Sequence, residues 1–325
     1  MKIHTAVAQA LAVSVLAVAS AADAQQAYPN KPIKWIVPYT PAGISDNVTR
    51  MVTRKIQDQT GWSFLVDNKP GANSILGVDL TAKSAPDGYT FVTVIAAHAA
   101  NATLYAGKLP YDPIKSFAPV SLVAIAPLML MANNDFPAKD VKDLIAYAKA
   151  NPKKVFYGST GIGAGAHLTM ELFAQTVGID TVHVPYKGTP QAVMDLMSGN
   201  IQIMVDSPSS SMSQVRSGKI KALGMFSRKR VTGALEVPTM AEAGDPALES
   251  STWVLFLAPA GTPADIVRRM STEVAEAIAT NEVKSRLEAI SMEIVGSTPE
   301  QAGKFLDSEI AKWAKVIKTA GVKIE

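Results

Sequence analysis

Residues 33–56 join an apolar strand to an amphipathic helix through one tight turn, and this unit constrains the fold more than any other stretch. Residues 33–39 are almost continuously apolar, as in a strand buried on both faces of a parallel sheet. Residues 40–46 supply turn formers, and Ser45 and Asp46 are candidate N-caps. Apolar residues then recur at helical spacing: Val48, Met51, Val52 and Ile56. Such a turn either directs backbone N–H groups and a helix dipole at an anion or simply starts a capped helix.

The N-terminus has the pattern of a secretory signal peptide. Lys2 and His4 precede an apolar stretch at 6–19, and small residues at 22–24 favour cleavage before Gln25. The apolar stretch is shorter than the roughly 20 residues of a membrane span. We therefore predict a signal peptide at 1–24 and a mature chain exported to the periplasm.

The composition narrows the function classes. The formal net charge of +3 is scattered, which disfavours nucleic acid and anionic membranes as partners. The chain has no cysteine, so neither disulfides nor thiolate metal sites are available. His98, His167 and His183 are too widely spaced to form a metal-binding pair. We expect no metal, no cofactor and no enzymatic activity.

Alternating strand and helix patterns indicate two α/β domains. Strands at 33–39, 63–67 and 89–95 are separated by helices, as in a parallel sheet, and a polar loop at 97–101 follows the third strand. Short strands at 120–124 and 128–133 leave no room for a crossover helix, and a second α/β unit follows. A strand at 253–257 and three terminal helices return to the first sheet.

This order predicts domain boundaries and a hinge. Domain 1 comprises 25–125 plus 250–325, and domain 2 comprises 126–249. About 300 residues is more than one hydrophobic core usually serves. The chain would cross between the domains near Ala126 and Glu249, and two crossings form a hinge beside a cleft.

A second strand–turn–helix unit surrounds residues 158–167. Gly161, Gly163 and Ala166 fit a dinucleotide fingerprint, but Asp180 precedes the next strand where the ribose-binding acid should follow it. A carboxylate-binding turn fits better. His167 either points into the cleft or packs beside the helix start, and Asp206 either faces the ligand or caps the helix near Ser210.

Several motifs, taken together, resemble the Bug or TctC family of tripartite tricarboxylate transporter substrate-binding proteins. They are Tyr28-Pro29-x-Lys31-Pro32-Ile33, Val37-Pro38-Tyr39-x-Pro41-Ala42-Gly43-x-Ser45-Asp46, Asn68-Lys69-Pro70-Gly71-Ala72, Ala85-Pro86-Asp87-Gly88-Tyr89, Leu109-Pro110-Tyr111-Asp112-Pro113, Val184-Pro185-Tyr186-Lys187-Gly188, Val237-Pro238-Thr239-x-x-Glu242-Ala243-Gly244 and Ala258-Pro259-Ala260-Gly261-Thr262-Pro263. The resemblance implies a bilobed type II periplasmic binding fold, monomeric, that closes on a small carboxylate and presents it to membrane permease subunits.

The resemblance also implies a ligand site. The turns at 41–46 and 159–167 would face each other across the cleft, with Asp206 in the pocket. The predicted ligand-binding residues are Tyr39, Ala42, Gly43, Ile44, Ser45, Asp46, Ala97, His98, Ser159, Thr160, Gly161, Ile162, Gly163, Ala164, His167, Tyr186 and Asp206.

Departures from the family pattern suggest the ligand. Ile44, Ile162, Ala164 and Leu255 stand where relatives offer polar groups or bare backbone. We therefore expect an aromatic or straight-chain apolar carboxylate in preference to citrate, malate or aspartate. Two alternatives stay open, a sensor protein that presents its ligand to a two-component system and a hydrolase on the same scaffold.

Overall fold

The first sheet begins with three parallel strands connected by helices. The computed structural model describes residues 28–186, 188–245 and 247–324, so the predicted signal peptide lies outside the described residues. The elements are β1 (Ile33–Val37), α1 (Ile44–Thr60), β2 (Phe64–Asn68), α2 (Ile75–Ala82), β3 (Thr90–Val94) and α3 (Ala96–Leu104). β1 pairs in parallel with both β2 and β3, as the apolar run of β1 predicts.

The second sheet is built by the middle of the chain. Its elements are β5 (Met129–Asn133), α4 (Val141–Ala150), β6 (Phe156–Ser159), α5 (Gly165–Val177), β7 (Val182–Pro185), α6 (Thr189–Ser198), β8 (Ile203–Asp206), α7 (Pro208–Arg216) and β9 (Ile220–Met225). The strand order is β7-β6-β8-β5-β9, with β5 antiparallel to both its neighbours. We call this sheet and its helices the second lobe.

The C-terminal part completes the first sheet. Its elements are β10 (Ser251–Pro259), α8 (Ala264–Ala279), α9 (Asn281–Ala289), β11 (Glu293–Ile294) and α10 (Pro299–Ala320). β10 lies antiparallel between β3 and β4 (Phe117–Pro127), which gives the order β11-β4-β10-β3-β1-β2. This sheet and its helices form the first lobe. No described helix is both long enough and apolar enough to span a membrane.

The chain passes between the sheets twice, and hydrogen bonds join the crossing segments. It leaves the first sheet after Pro127 and returns at Ser251. The Leu128 N–H donates to the Ser250 carbonyl at 3.0 Å, and the Phe226 N–H donates to the Leu128 carbonyl at 2.8 Å. The division into 25–125 plus 250–325 and 126–249 stays a prediction. The first change of sheet lies about two residues beyond the predicted boundary.

Two local expectations were wrong. β4 is one eleven-residue strand and not a short strand at 120–124, because β10 and β11 pair with its two edges. Residues 97–101 were expected to follow a strand as a polar loop, but they belong to α3. Asn101 is fully buried there, and its amide donates to the Asn73 carbonyl at 2.8 Å.

A buried carboxylate attaches α10 to the first sheet. Glu309 is only 6% exposed, and its Oε2 accepts hydrogen bonds from the indole N–H groups of Trp253 at 2.9 Å and Trp313 at 3.0 Å. Its Oε1 accepts from Lys312 at 2.6 Å. Both indoles are fully buried, so this carboxylate satisfies two donors that have no access to water.

We predict that Glu309→Leu lowers the free energy of unfolding by about 2–4 kcal/mol, because two buried indole N–H groups lose their acceptor. Glu309→Gln retains an acceptor oxygen and should cost about 1 kcal/mol, mostly through Lys312. Urea denaturation checks both values. Asp307→Leu, at an exposed position of the same helix, is the control and should leave the midpoint unchanged. Equal losses for the Leu and Gln variants would contradict this role for Glu309.

Candidate functional site

A cleft of about 810 Å³ lies between the two lobes. Five helices begin on its wall, α1 and α3 from the first lobe and α5, α6 and α7 from the second. The first N–H groups of a helix have no partner inside that helix, and the helix dipole is positive there. The cleft is therefore surrounded by backbone donors and favours an anion.

The Asp46 carboxylate stabilises the first turn, residues 40–46. The Ala42 N–H donates to Asp46 Oδ2 at 3.0 Å, while Oδ1 accepts from Arg50 at 2.9 Å and Asn68 at 2.9 Å. Burial alone would raise the pKa of the Asp46 carboxyl, but these hydrogen bonds outweigh burial and hold the pKa below its ordinary value. Asp46 is thus an ionised internal acceptor.

The N-cap of α1 differs from the prediction. Gly43 occupies that position without a side-chain hydrogen bond, so neither Ser45 nor Asp46 is the N-cap. The Gly43 carbonyl accepts from the Asn47 N–H, the first hydrogen bond within the helix. The N–H groups of Ile44 and Ser45 precede it and lie at the free start of α1.

The second turn uses several of its donors internally. The Gly161 N–H donates to Ser159 Oγ at 3.2 Å, and the Gly163 N–H donates to His167 Nδ1 at 3.0 Å. These two N–H groups are therefore not available to a ligand. The N–H groups of Gly165 and Ala166, which lie on the cleft wall at the start of α5, are the free donors.

His167 and His183 lie behind this turn. Their rings stack at a centroid distance of 3.9 Å with 12° between the planes. Burial lowers the pKa of His167 to about 3, with a further contribution from His183, and burial lowers the pKa of His183 to about 4. Both imidazoles are neutral at physiological pH.

Asp206 lies on the cleft wall and also organises two helix starts. It accepts hydrogen bonds from the Thr189 hydroxyl at 2.5 Å and the Ser207 N–H at 2.7 Å. Burial raises the pKa of Asp206, although the hydrogen bonds partly offset this effect. The starts of α6 and α7 therefore face a carboxyl group of the protein itself, which leaves α1, α3 and α5 to receive an external anion.

Eight of the seventeen predicted residues line the cleft: Tyr39, Ala42, Gly43, Ile44, Ala97, Thr160, Ala164 and Asp206. Their role in ligand binding stays a prediction. The other nine, which are not part of this lining, are Ser45, Asp46, His98, Ser159, Gly161, Ile162, Gly163, His167 and Tyr186.

The side chains of several of these residues have other partners. His98 is fully buried between Tyr111 and Phe117, and its Nε2 lies 2.9 Å from the Pro113 carbonyl. The Tyr186 hydroxyl donates to Asp195 at 2.7 Å.

Two residues chosen for their apolar side chains also lie away from the cleft lining. Ile162 is 42% exposed and is not part of the cleft lining. Leu255 is fully buried in the core on β10. The fully buried Leu255 side chain cannot contact a ligand in the cleft, whereas a ligand contact through Ile162 stays a prediction.

Part of the apolar wall of the cleft was not predicted from the sequence. Ile95, Leu128 and Ile290 line the cleft. Ile95 could have been found as the residue before a helix start that follows β3. Ile290 has no local signal, because it follows α9 and reaches the cleft only through tertiary packing.

Residues 48–322 match the family described as "Tripartite tricarboxylate transporter family receptor", TctC. The chain belongs to this family. Among known relatives, Protein BugT of Bordetella pertussis (strain Tohama I) is 35% identical over 92% of this chain and 92% of its own length.

Three solved structures show the same fold. The periplasmic binding protein BugD is 31% identical with a TM-score of 0.78, over 92% of this chain and 100% of its own. Rpa4515 of R. palustris with adipate is 33% identical with a TM-score of 0.81, over 91% of this chain and 99% of its own. MatC of Rhodopseudomonas palustris with bound malate is 28% identical with a TM-score of 0.77, over 89% and 100%. The bilobed periplasmic binding fold predicted from the sequence is confirmed.

We predict that the protein loses stability as the pH falls from about 6.5 towards 4. Burial lowers the pKa of His98 to about 4 and that of His167 to about 3, whereas an unfolded histidine has a pKa near 6.5. The unfolded chain therefore binds more protons in this range. Each histidine should lower the free energy of unfolding by about 1.4 kcal/mol per pH unit.

Urea denaturation at half-unit pH intervals measures this slope. The raised pKa of Asp206 favours its protonation in the folded state. Asp206 should therefore partly offset the loss of stability at the acidic end of this pH range. His98→Gln removes one titrating group and should make the slope shallower. A slope that His98→Gln leaves unchanged would contradict the assignment.

Proposed function

We propose that this chain is a periplasmic receptor that captures a small carboxylate between its lobes and delivers it to the permease subunits of a tripartite tricarboxylate-type transporter, without catalysis. One observation supports this proposal: the starts of α1, α3 and α5, with their free N–H groups, line the same cleft. A carboxylate can accept several such hydrogen bonds at once, and charge-assisted hydrogen bonds are the strong ones.

The walls favour a ligand with an apolar body. Ile44, Ile95 and Ile290 line the first-lobe side, and Leu128 lies at the crossing between lobes. Burial of a methylene chain or ring against them is favourable by about 25 cal/mol per Å². A hydroxyl or ammonium group without a partner would cost about 1–3 kcal/mol there. The adipate in one related structure is a ligand of this kind, and the malate in another is a hydroxy acid.

We expect adipate or benzoate to bind more tightly than citrate, malate or aspartate. Titration calorimetry with each acid measures this order. Ile44→Asn should weaken adipate binding about fivefold to tenfold and narrow the gap to malate, because a polar group then lines the cleft. Ile162→Asn is the matched control, since Ile162 is 42% exposed and is not part of the cleft lining. Tighter binding of citrate or aspartate by the unaltered protein would overturn the preference.

We further propose that the domains 25–125 plus 250–325 and 126–249 close on the ligand as a monomer. The two crossings are the only main-chain connections between sheets within 28–186, 188–245 and 247–324, which permits a hinge. Small-angle scattering with and without saturating adipate should show a smaller radius of gyration in the bound state. An unchanged radius at proven saturation would exclude closure.

A further inference from the structure

His167 sits directly behind the second turn and is only 4% exposed. Its Nδ1 accepts the Gly163 N–H at 3.0 Å. An imidazole nitrogen that accepts a hydrogen bond carries no proton, so the ring is the neutral tautomer with its proton on Nε2. A protonated His167 could not make this contact.

The neighbouring His183 supports the same turn through a serine. Its Nε2 lies 2.7 Å from Ser159 Oγ, and that oxygen accepts the Gly161 N–H at 3.2 Å. The two stacked imidazoles therefore fix two glycine N–H groups of one turn, one directly and one through Ser159.

The first lobe packs against the other side of the second turn. Gly163 has a φ of +77°, a conformation that favours glycine, and a Cβ atom there would overlap the Leu104 side chain at the end of α3. An ideal Cβ at Gly165 would lie 3.7 Å from Ala96, so the start of α5 also approaches the start of α3. The hydrogen bond from Gly163 to His167 thus sets how the second turn meets the first lobe.

The groups that face His167 are compatible with a neutral ring. Tyr157 of β6 donates its hydroxyl to Glu171 Oε1 at 2.5 Å, and Glu171 Oε1 lies 3.9 Å from His167 Nε2. His183 of β7 covers the ring face. Because Tyr157 already uses the nearest carboxylate oxygen, that carboxylate does not form a close ion pair with His167.

We propose that His167 is a positioning residue for the carboxylate site. It does not touch the ligand. As a neutral Nδ1 acceptor it holds residues 161–163, so that the free N–H groups of Gly165 and Ala166 face the cleft. This inference rests on the proposed carboxylate-binding function, and its test separates the two.

The test compares His167→Asn with His167→Leu in the full mature chain. Asn Oδ1 branches from Cγ as His Nδ1 does and keeps an acceptor for the Gly163 N–H, whereas Leu removes it. Amide hydrogen exchange of Gly163 without ligand should accelerate at least tenfold in the Leu variant and stay within about threefold in the Asn variant. The dissociation constant for adipate should follow the same order.

Val274→Ala is the control for lost stability. Val274 is a fully buried residue of α8 in the core of the first lobe, and it is not part of the cleft lining. This variant should lose stability without changing Gly163 exchange or adipate affinity. Equal losses of Gly163 protection in the Asn and Leu variants of His167 would show a packing role and overturn the proposal, as would unchanged protection in both.

A measurement on the unaltered protein covers the case in which His167→Leu does not fold. The ¹⁵N spectrum of labelled histidines should show His167 Nδ1 unprotonated from pH 8 to 5, with a coupling to the Gly163 amide. A protonated Nδ1 would overturn the proposal. If no tested carboxylate binds, the proposed function fails, but the amide and ¹⁵N results still decide whether His167 holds the turn.

Discussion

The geometry of the cleft depends on the small set of hydrogen bonds where the chain passes between its sheets. Leu128, Phe226 and Ser250 lie side by side there, joined by backbone hydrogen bonds of 2.8–3.1 Å. The Thr169 hydroxyl lies 2.5 Å from the Ser250 hydroxyl and adds a link from α5 to the crossing. With the lobes joined at this place, the carboxyl ends of β1 and β6 face a common space, and the helices that follow them start there.

The helix starts do not contribute equally to an anion site, because the protein itself uses part of their donor capacity. Asp206 already accepts from Thr189 and Ser207 at the starts of α6 and α7. Within the turns, the N–H groups of Ala42, Gly161 and Gly163 serve to fix the backbone. What remains is a smaller and better-defined group of donors, directed from α1, α3 and α5. Preorganised donors of this kind bind a ligand with little further ordering cost.

The sequence predicted helices and strands correctly where a local hydrophobic pattern matches the buried face of the element. The helical stripe after the first turn is α1, whose Val48, Val52 and Ile56 are fully buried. Both turns and the return of the C-terminal segment to the first sheet could be predicted. The α3 helix could not be predicted, because its polar residues form hydrogen bonds with the carbonyls of Asn73 and Pro113, which lie in other segments of the chain.

The direction of individual side chains in the site was harder to predict. The identity of a residue in a turn does not reveal whether its side chain faces the ligand or the backbone of the turn itself. Asp46 and His167 both face their own turns, where they accept the N–H groups of Ala42 and Gly163. Ile162 is exposed and is not part of the cleft lining, whereas Ile290, which follows α9 with no motif nearby, lines the cleft.

Ala42 illustrates why the first turn keeps its shape without glycine. Its φ of +66° lies in the left-handed region, which costs an alanine about 1–2 kcal/mol. The residue is held on both sides, since its N–H donates to Asp46 and its carbonyl accepts from the Asn47 side chain at 3.1 Å. Two hydrogen bonds, one of them to an ionised carboxylate, are sufficient to offset a strain of that size. The strain therefore persists at the edge of the cleft, where the turn shape orients the free N–H groups of α1.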